Sequence, residues 1–525
     1  MANKTLFQTI AAAFLPKTNT LNAAGGVAYQ RSAKQALAQY AATGCFNSTF
    51  YASGDEQLAA VLKLLDQVEP EFIARVALYS RQKGFMKDMP ALLVASLSVY
   101  GPGLMAEVFD RVIDSPKMLR NFVQIMRSGV TGRKSLGSLP KRLVQQWLES
   151  RSDEQLFAGS IGNDPSLADV IKMVHPKPAT PSRQALFAYL IGRDHDASAL
   201  PEIVRQYEQF KQHPQQRKNG PPNVPFQMLT SLPLSAADWQ TIATNAPWQM
   251  TRMNLNTFER HEVFQNKKLV NLIAERLRNP KLIKDARVFP YQLLAAYINA
   301  SDTLPHEIRE ALQDAMEHSI SNVPHAHGKV FVLPDVSGSM HSPVTGHREG
   351  ATTKVRCIDV AALVAAAILR RNPSAEVLPF ESKAVPVRLN PRDSVLTNAQ
   401  LLASLPQGGT NCSAPLAYLN QRNANGDLVV YVSDNESWLD TPQHGRCGGS
   451  ATATMAEWAK FKQRNPRAKM ICIDLQPAST TQVAERKDIM NVAGFSDQVF
   501  TLIADVAAGR SGEDHWVREI EKMKL

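Results

Sequence analysis

The spacing of apolar residues changes once along this 525-residue chain, and the change constrains the fold more than any other feature. Before about residue 325, apolar residues recur every three or four positions, which predicts a long series of helices. After it, short apolar runs alternate with helical patterns, which predicts an α/β domain with a doubly wound parallel sheet. A chain of this length holds about two to four domains. We therefore predict a helical domain, residues 1–325, followed by an α/β domain, residues 326–525.

The helical part contains paired segments separated by short turns of Gly, Pro, Asn or Asp, from Ala33 to about Ser319. Helices that cannot bury an apolar face alone stack on their neighbours, so the pattern predicts a solenoid of irregular α-helical repeats. The segment Gln206–Pro225 interrupts the pattern because it is polar, basic and rich in Pro and Gln. We expect a long exposed loop there.

The α/β part begins with the apolar run Lys329–Leu333, which suits a buried parallel strand. Further runs of this kind follow, and segments with helical spacing lie between them. The later predicted strands are Glu376–Phe380, Asp427–Ser433, Lys469–Asp474 and Val499–Leu502. Ligands of such sheets bind beyond the carboxyl ends of the strands.

Oxygen donors are present at those strand ends. Asp335, Ser337 and Ser339 follow the first strand in a D-x-S-x-S pattern, and two later loops contain Thr410 and Asp434. Mg²⁺ is a hard ion that takes about six oxygen ligands. The three loops supply most of these oxygens and leave one position for an anionic oxygen, such as a carboxylate of an acidic protein ligand. We therefore predict a divalent metal site, with Mg²⁺ as the expected ion; the alternative is a serine-rich turn that caps a helix.

The same residues resemble the metal-ion-dependent adhesion site (MIDAS) of von Willebrand factor A domains. Asp335, Ser337 and Ser339 match the first sequence motif of that site, Thr410 matches the second and Asp434 the third. No element of the pattern is missing. The resemblance implies that residues 326–525 form a von Willebrand factor A domain.

Sequence patterns of several enzyme classes are absent. Aspartyl-phosphate enzymes need a second acid where Ser337 stands, and the chain has neither a GxxxxGK[S/T] phosphate loop nor a GxSxG turn. His325, His327, His341 and His347 could be read as zinc ligands, but they lie in loops without a partnering Cys or an HExxH helix. We expect exposed histidines and no enzymatic activity.

The five cysteines lie far apart and form no CxxC pair, which indicates unrelated thiols in a reducing compartment. They are Cys45, Cys357, Cys412, Cys447 and Cys472. No apolar run approaches the roughly 18 residues that cross a bilayer, and Met1–Lys17 lacks the basic start and the cleavage site of a signal peptide. We expect a cytoplasmic protein without a membrane partner.

Basic charge is concentrated in the helical part. About +8 of the formal net charge of +10 falls before residue 325, with about +4 to +5 in each of the stretches 101–150 and 251–300. A surface that binds a polyanion needs such charge, because each phosphate contact releases counterions. The alternative is a solvated basic face. A glycine-containing loop, 127–134, leads to the helix start after Leu139 and can direct amides and basic side chains at phosphates.

Several passages of the helical part resemble the TROVE module of the Ro autoantigen ribonucleoproteins. The landmarks are Tyr40–Gly44, Thr49–Tyr51, Gly132 and Arg133 with Lys141–Trp147, and His175–Pro178. The family also has this order of a helical module followed by an A domain, so the resemblance covers nearly the whole chain. Cys45–Ser48 departs from the family's pattern, and the segment 206–225 has no counterpart in it.

The resemblance implies a bacterial-type Ro ribonucleoprotein, in which the A domain closes a ring of HEAT-like helical repeats. Single-stranded 3′ ends of misfolded or defective noncoding RNAs would enter the basic central hole, as a step in RNA quality control. A small structured Y-type RNA would bind the outer surface, and an RNA-processing exonuclease is a further implied partner.

A basic helical scaffold binds RNA mainly through phosphates and shape. The residues that we expect to contact RNA are Arg127, Arg133, Lys134, Lys141, Arg142, His175 and Lys177, followed by Trp248, Arg252 and Asn254. The alternative function is a metal-dependent protein-adhesion or scaffold module without RNA, whose helical part docks proteins. A protein-docking solenoid has no need of the basic charge in residues 101–150 and 251–300, which favours RNA binding.

Overall fold

Helices follow one another from Ala33 to Ser319, as the sequence predicts. The computed structural model describes residues 15–162, 165–212, 220–286, 288, 290–320, 323, 325, 328–347, 355–438, 450–494, 498–509 and 514–525. Serine hydroxyls and a side chain three residues later close capping boxes at Ser32, Ser53, Ser152, Ser166 and Ser235. These boxes explain why the helices start where the sequence pattern begins.

The helices of this part are short and pack on their neighbours in the chain. The first are α1 (Ala33–Thr43), α2 (Gly54–Leu65), α3 (Pro70–Gln82), α4 (Asp88–Tyr100), α5 (Pro102–Val112), α6 (Pro116–Ser128), α7 (Ser138–Ser150), α8 (Asp153–Ala158) and α9 (Leu167–Val174). The next are α10 (Pro181–Leu190), α11 (Glu202–Gln212), α12 (Phe226–Leu229), α13 (Ala236–Asn245), α14 (Trp248–Met253), α15 (Leu255–Arg260), α16 (Lys267–Arg278), α17 (Pro280–Asp285), α18 (Pro290–Ile298) and α19 (His306–Ser319). For example, α3 packs on α4 and α5, and α4 packs on α6. This is the packing of a helical repeat structure.

The C-terminal part is a parallel sheet with helices on both faces. Two short strands, β1 (Thr20–Leu21) and β2 (Val27–Gln30), come before the helical part, and the later strands are β3 (Val330–Pro334), β4 (Glu376–Val377), β5 (Leu428–Ser433), β6 (Lys469–Asp474), β7 (Thr480–Thr481) and β8 (Ile489–Ala493). The five-stranded sheet has the order β4-β3-β5-β6-β8, and all its neighbours are parallel. The remaining helices are α20 (Cys357–Arg371), α21 (Val395–Ala403), α22 (Ala414–Gln421), α23 (Ala453–Arg464), α24 (Gln498–Ala507) and α25 (His515–Glu521).

Side chains of the central strands alternate between two apolar cores, as the period of a strand requires. Val330 and Val332 belong to the core that contains α20 and extends into the helical part. Phe331 and Leu333 point to the other face, where Trp458 and the rest of α23 cover them. The α/β layers that the sequence predicts are therefore confirmed.

The α/β domain contacts both ends of the helical series, so the chain closes on itself as a ring. At one end, α1 and α3 contact α25, and α1 also contacts β8. At the other end, α18 packs on α20 and α19 packs on α21. Salt bridges join the same elements, with 2.9 Å between Lys34 and Glu521 and 3.4 Å between Glu317 and Arg370.

An N-terminal segment packs on the α/β domain before the helices begin. Strand β2 pairs in antiparallel fashion with β7, so that Tyr29 lies opposite Thr481. Arg31 forms a buried ion pair with Asp474 at the end of β6. Residues 18–31 therefore pack with the second of the two predicted domains, although they lie within the predicted bounds of the first, residues 1–325.

Two sequence predictions need correction. The last strand of the sheet is Ile489–Ala493, whereas the predicted strand Val499–Leu502 lies within helix α24. A short apolar run fits either structure, but apolar residues also continue at helical spacing to Val506. The expected loop from Gln206 is helical as far as Gln212, because Val204 and Phe210 are buried on one face of α11. Residues 213–219 lie outside the described residues.

The cysteines that the structure describes are free thiols, as expected. Cys45 is half-buried, and Cys357, Cys412 and Cys472 are buried; Cys447 lies outside the described residues. None of the helices in the described ranges is long and apolar enough to span a membrane.

Candidate metal centre and basic face

The predicted metal loop lies at the carboxyl ends of two adjacent parallel strands. Pro334 at the end of β3 is in register with Val432 of β5, and the N–H of Asp335 donates to the carbonyl of Val432 at 2.9 Å. Asp335 and Asp434 therefore leave neighbouring strands at the same edge of the sheet. Parallel register thus brings together two carboxylates that are far apart in the sequence.

Hydrogen bonds hold the first loop around the Asp335 carboxylate. Its two oxygens accept the Ser337 N–H at 2.8 Å and the Ser433 hydroxyl at 2.6 Å. The hydroxyl oxygens of Ser337 and Ser339 lie 3.4 Å apart, and the Ser339 hydroxyl is hydrogen-bonded to Asp434. Both serine hydroxyls and both carboxylates therefore converge on one small volume.

The second loop is attached to the first by a backbone contact. The N–H of Gly338 donates to the carbonyl of Gly408 at 2.9 Å, two residues before Thr410. Thr410 is buried, and its carbonyl accepts the Ser437 hydroxyl at 3.4 Å. The structure thus brings together the loops that carry all five predicted metal-binding residues.

Burial and mutual repulsion dominate the electrostatics of this site. Asp335 is 0% exposed, and its burial, followed by the charge of Asp434, raises its pKa well above the ordinary value. Burial likewise raises the pKa of Asp434. Glu436 was not among the predicted site residues, but burial and the nearby Asp434 raise its pKa to about 8. Its carboxylate accepts the N–H of Ala23 at 2.8 Å, a contact with the N-terminal segment that local sequence could not reveal.

The histidines do not gather into a second metal site. In the part of the chain that the structure describes, no group of three or more His, Cys, Asp or Glu side chains is arranged to hold a metal ion. His325 and His347 are exposed, while His341 is half-buried with its ring nitrogen 3.0 Å from the Arg356 guanidinium. His327 lies outside the described residues. A cation at the α/β domain would therefore depend on hydroxyls and two carboxylates, which are the oxygen donors that Mg²⁺ prefers.

Basic side chains of the helical part lie around a cavity between α6 and α9. The cavity has a volume of about 590 Å³, and Arg127 and Lys172 both line it. Both cations also act on Asp169, whose pKa is lowered chiefly by its capping hydrogen bonds with Ser166. Lys172 was missed as a candidate because only its place beside α6, which is remote in sequence, distinguishes it from other exposed lysines.

The predicted basic loop continues from Arg127 and Ser128, which line this cavity. Glycines with positive φ angles, Gly129 at 85° and Gly132 at 81°, turn the chain after α6. The side chain of Lys134 packs near Gly129. We use the name basic face for the basic candidates on α6, α7, α9 and the adjoining loops, which are Arg127, Arg133, Lys134, Lys141, Arg142, Lys172, His175 and Lys177.

His175 joins this surface through α7. It ends α9 with a φ of 51°, and its N–H donates to the carbonyl of Ile171 at 3.0 Å. The Gln145 amide donates to the carbonyls of Val174 at 2.6 Å and of His175 at 3.3 Å. Lys141 is one turn before Gln145 on α7, so it lies on the same side of that helix. The His175 side chain itself is exposed.

The weaker RNA candidates lie elsewhere and form structural contacts. Trp248 is buried, and its indole N–H donates to the carbonyl of Leu277 at 3.0 Å, so we remove it from the expected RNA contacts. The Arg252 guanidinium donates to the carbonyl of Gln292 at 2.9 Å, and the Asn254 amide donates to the carbonyl of Met250 at 2.9 Å. The apolar ring of Trp248 thus belongs to the helical core.

Comparisons with known proteins agree with this architecture. Residues 329–507 match the family model described as the Ro60 vWA domain. The chain is 24% identical over 539 aligned positions to the "RNA-binding protein RO60" of Deinococcus radiodurans, covering 94% of this chain and 96% of that protein. The crystal structure of the Deinococcus radiodurans RO (RSR) protein has the same fold, with a TM-score of 0.62 and 21% identity over 91% of this chain and 100% of that one. The Ro-family resemblance that the sequence predicts is therefore confirmed: residues 329–507 have the von Willebrand factor A fold and match the Ro60 vWA domain, in a chain that resembles a Ro protein along nearly its whole length.

Proposed function

We propose that this chain is an RNA-binding protein whose basic face holds RNA phosphates. The observation that carries the proposal is the contrast between two sets of cations. Arg81, Arg151 and Arg183 are held in salt bridges with Asp114, Asp110 and Asp153. Among the described residues, no Lys or Arg of the basic face forms a salt bridge with a carboxylate. Unpaired cations on one surface attract phosphates and release their counterions on binding.

The family resemblance supports a more specific role. We propose that single-stranded 3′ ends of misfolded or defective noncoding RNAs enter the ring, and that a structured Y-type RNA binds the outer surface. The protein would then act in RNA quality control in the cytoplasm, together with an RNA-processing exonuclease. The D. radiodurans relative named as an RNA-binding protein supports the choice of RNA.

We further propose that Asp335, Ser337, Ser339, Thr410 and Asp434 hold a divalent cation, with Mg²⁺ as the expected ion. The support is the pair of fully buried carboxylates, because two such groups repel each other unless a cation or protons neutralise them. When bound, the ion supplies an open coordination position for the carboxylate of an acidic protein ligand. We propose binding, and not catalysis, as the role of this site.

The proposal predicts that nucleic acid copurifies with the protein and is removed by a high-salt wash. The measurement is the ratio of absorbance at 260 and 280 nm before and after the wash, followed by RNase and DNase digestion of the eluate. Binding that depends mainly on phosphate contacts weakens steeply as the salt concentration rises. The nucleic acid should therefore dissociate from the protein over a narrow range of salt concentration. A protein that carries none, and that retains no added RNA on a filter at low salt, would instead support the metal-dependent protein-adhesion function.

A second prediction concerns His175, whose side chain is exposed while its backbone ends α9. Because the backbone N–H makes the capping contact, His175→Ser is expected to leave the melting temperature within about two degrees. We expect it to weaken binding of a structured small RNA severalfold, as loss of one hydrogen bond would. Filter binding and calorimetric melting of the same preparation test this. Equal losses of affinity and stability would assign His175 to helix capping alone.

A further inference from the structure

A turn in the helical part presents two aromatic residues between α1 and α2. The N–H of Thr49 donates to the carbonyl of Ala52 at 2.8 Å, and the Thr49 hydroxyl accepts the Ala52 N–H at 3.2 Å. Ser53 then starts α2 in a capping box with Glu56. Phe50 and Tyr51 are therefore fixed at the tip of a turn that is held on both sides. This turn contains Thr49–Tyr51, one of the landmarks of the family resemblance. The proposed RNA interface does not include it.

The segment before this turn is docked on the A domain beside the metal loop. The Asn47 amide donates to the carbonyl of Thr345 at 2.7 Å, and the N–H of His347 donates to the carbonyl of Ser48 at 2.6 Å. A Cβ atom at Gly346 would lie only 2.8 Å from the Cβ of Asn47, so this close approach requires glycine there. The helical part and the α/β part thus contact each other at Thr345 and His347, which follow Ser339 by only a few positions in the sequence.

Tyr51 extends from the turn into the metal centre. Its hydroxyl is hydrogen-bonded to Ser339, and Asp434, Glu436 and Asp335 lie close enough to act on it electrostatically. Burial and these carboxylates raise the pKa of the Tyr51 phenol. Its neighbour Phe50 is 61% exposed, so the two aromatic side chains of the turn have different surroundings.

We propose that Tyr51 is a positioning residue of the metal centre, through which cation binding and the docking of residues 45–52 stabilise each other. A serine that binds a cation directs a lone pair at the ion and must place its hydroxyl proton elsewhere. In this structure the Asp434 carboxylate accepts that proton, so the Tyr51 hydroxyl donates to the second lone pair of the Ser339 oxygen and thereby fixes the orientation of the ligand. Groups that orient metal ligands in this way contribute substantially to affinity, and coupling between two equilibria is reciprocal. The inference rests on the proposed metal site.

The first test is Mn²⁺ binding, measured by the electron paramagnetic resonance signal of the free ion. Tyr51→Phe removes only the hydroxyl and is expected to weaken Mn²⁺ binding about tenfold or more. Phe50→Leu is the matched control, since it alters the exposed neighbour and should leave the affinity unchanged. Tyr51→Phe should melt like the wild type in EDTA because the packing of its ring is retained, and Phe50→Leu should do so because the Phe50 side chain is largely exposed.

The second test is hydrogen exchange of residues 45–52, which reports on docking and not on affinity. In the wild type, Mn²⁺ is expected to slow exchange of this segment, and in Tyr51→Phe saturating Mn²⁺ should slow it much less. Wild-type Mn²⁺ affinity in Tyr51→Phe, with the same slowing of exchange, would overturn the role of Tyr51 and leave the metal site intact. A wild-type protein that binds no Mn²⁺ would overturn the metal site itself and the inference with it.

Discussion

Replacing Asp335 with alanine is expected to abolish the stabilisation of the protein by Mg²⁺. In the wild type, an ion that binds only the folded state adds RT ln(1 + [L]/Kd), about 2.7 kcal/mol at a hundredfold excess over Kd. Asp335 is fully buried between Ser337 and Ser433, so alanine removes a central donor of the site. Affinity for short single-stranded RNA should stay within about threefold, because phosphates are held by the basic face.

The measurement is calorimetric melting in Mg²⁺ or EDTA, with filter binding of RNA to the same samples. Asp335→Asn is the matched control, since it keeps the shape but removes the charge. It should lose the response to Mg²⁺ while melting no lower than the wild type in EDTA, because the repulsion with Asp434 is also removed. Loss of RNA binding on metal removal, with the fold intact, would contradict the separation of the two sites.

The pH dependence of the Mg²⁺ effect follows from the raised carboxyl pKa values. The metal-free folded protein binds protons at Asp335 and Asp434 more tightly than the unfolded chain does. This tighter proton binding stabilises the metal-free folded state. The stabilisation is fully present below the ordinary carboxyl pKa of about 4 and is lost as the pH rises through the raised pKa values of the two carboxyl groups. Mg²⁺ competes with those protons, so its effect on the melting temperature should be larger at about pH 8 than at about pH 5.5.

Replacing Lys141 and Arg142 together with alanine is expected to weaken RNA binding and to reduce its dependence on salt. Each phosphate contact contributes about 0.7 to the slope of log affinity against log salt for single strands, so two lost contacts reduce it by about 1.4. Neither side chain forms a salt bridge within the described residues, and the fold should therefore be unaffected. The measurement is a series of RNA titrations at increasing salt.

Arg205→Ala with Lys211→Ala is the matched control for this pair. It removes the same charge from α11, where both side chains form salt bridges with Glu202 and Glu208. The control should leave the salt slope close to that of the wild type. An unchanged slope in the Lys141 and Arg142 variant would remove these two residues from the RNA interface. An equal loss in the control would show that net charge, and not the basic face, determines the affinity.

Local sequence determined most of the secondary structure and the first metal loop. Helices such as α1 and α16 start where apolar spacing and capping residues predict, because both signals depend on neighbours within one or two turns. The D-x-S-x-S pattern after a buried strand identified Asp335, Ser337 and Ser339 for the same reason. Where a short apolar run fitted either a strand or a helix, as at Val499–Leu502, local sequence was insufficient.

Tertiary structure decided which distant residues share a site. The register of β3 and β5 places Asp434 beside Asp335, and ring closure places Ala23 against Glu436 and Tyr51 against Ser339. It also buries Trp248 and sets Lys172 beside Arg127. These contacts join residues that are tens to hundreds of positions apart. They depend on how helices and strands pack, and the spacing of residues within one helix or strand carries no record of that packing.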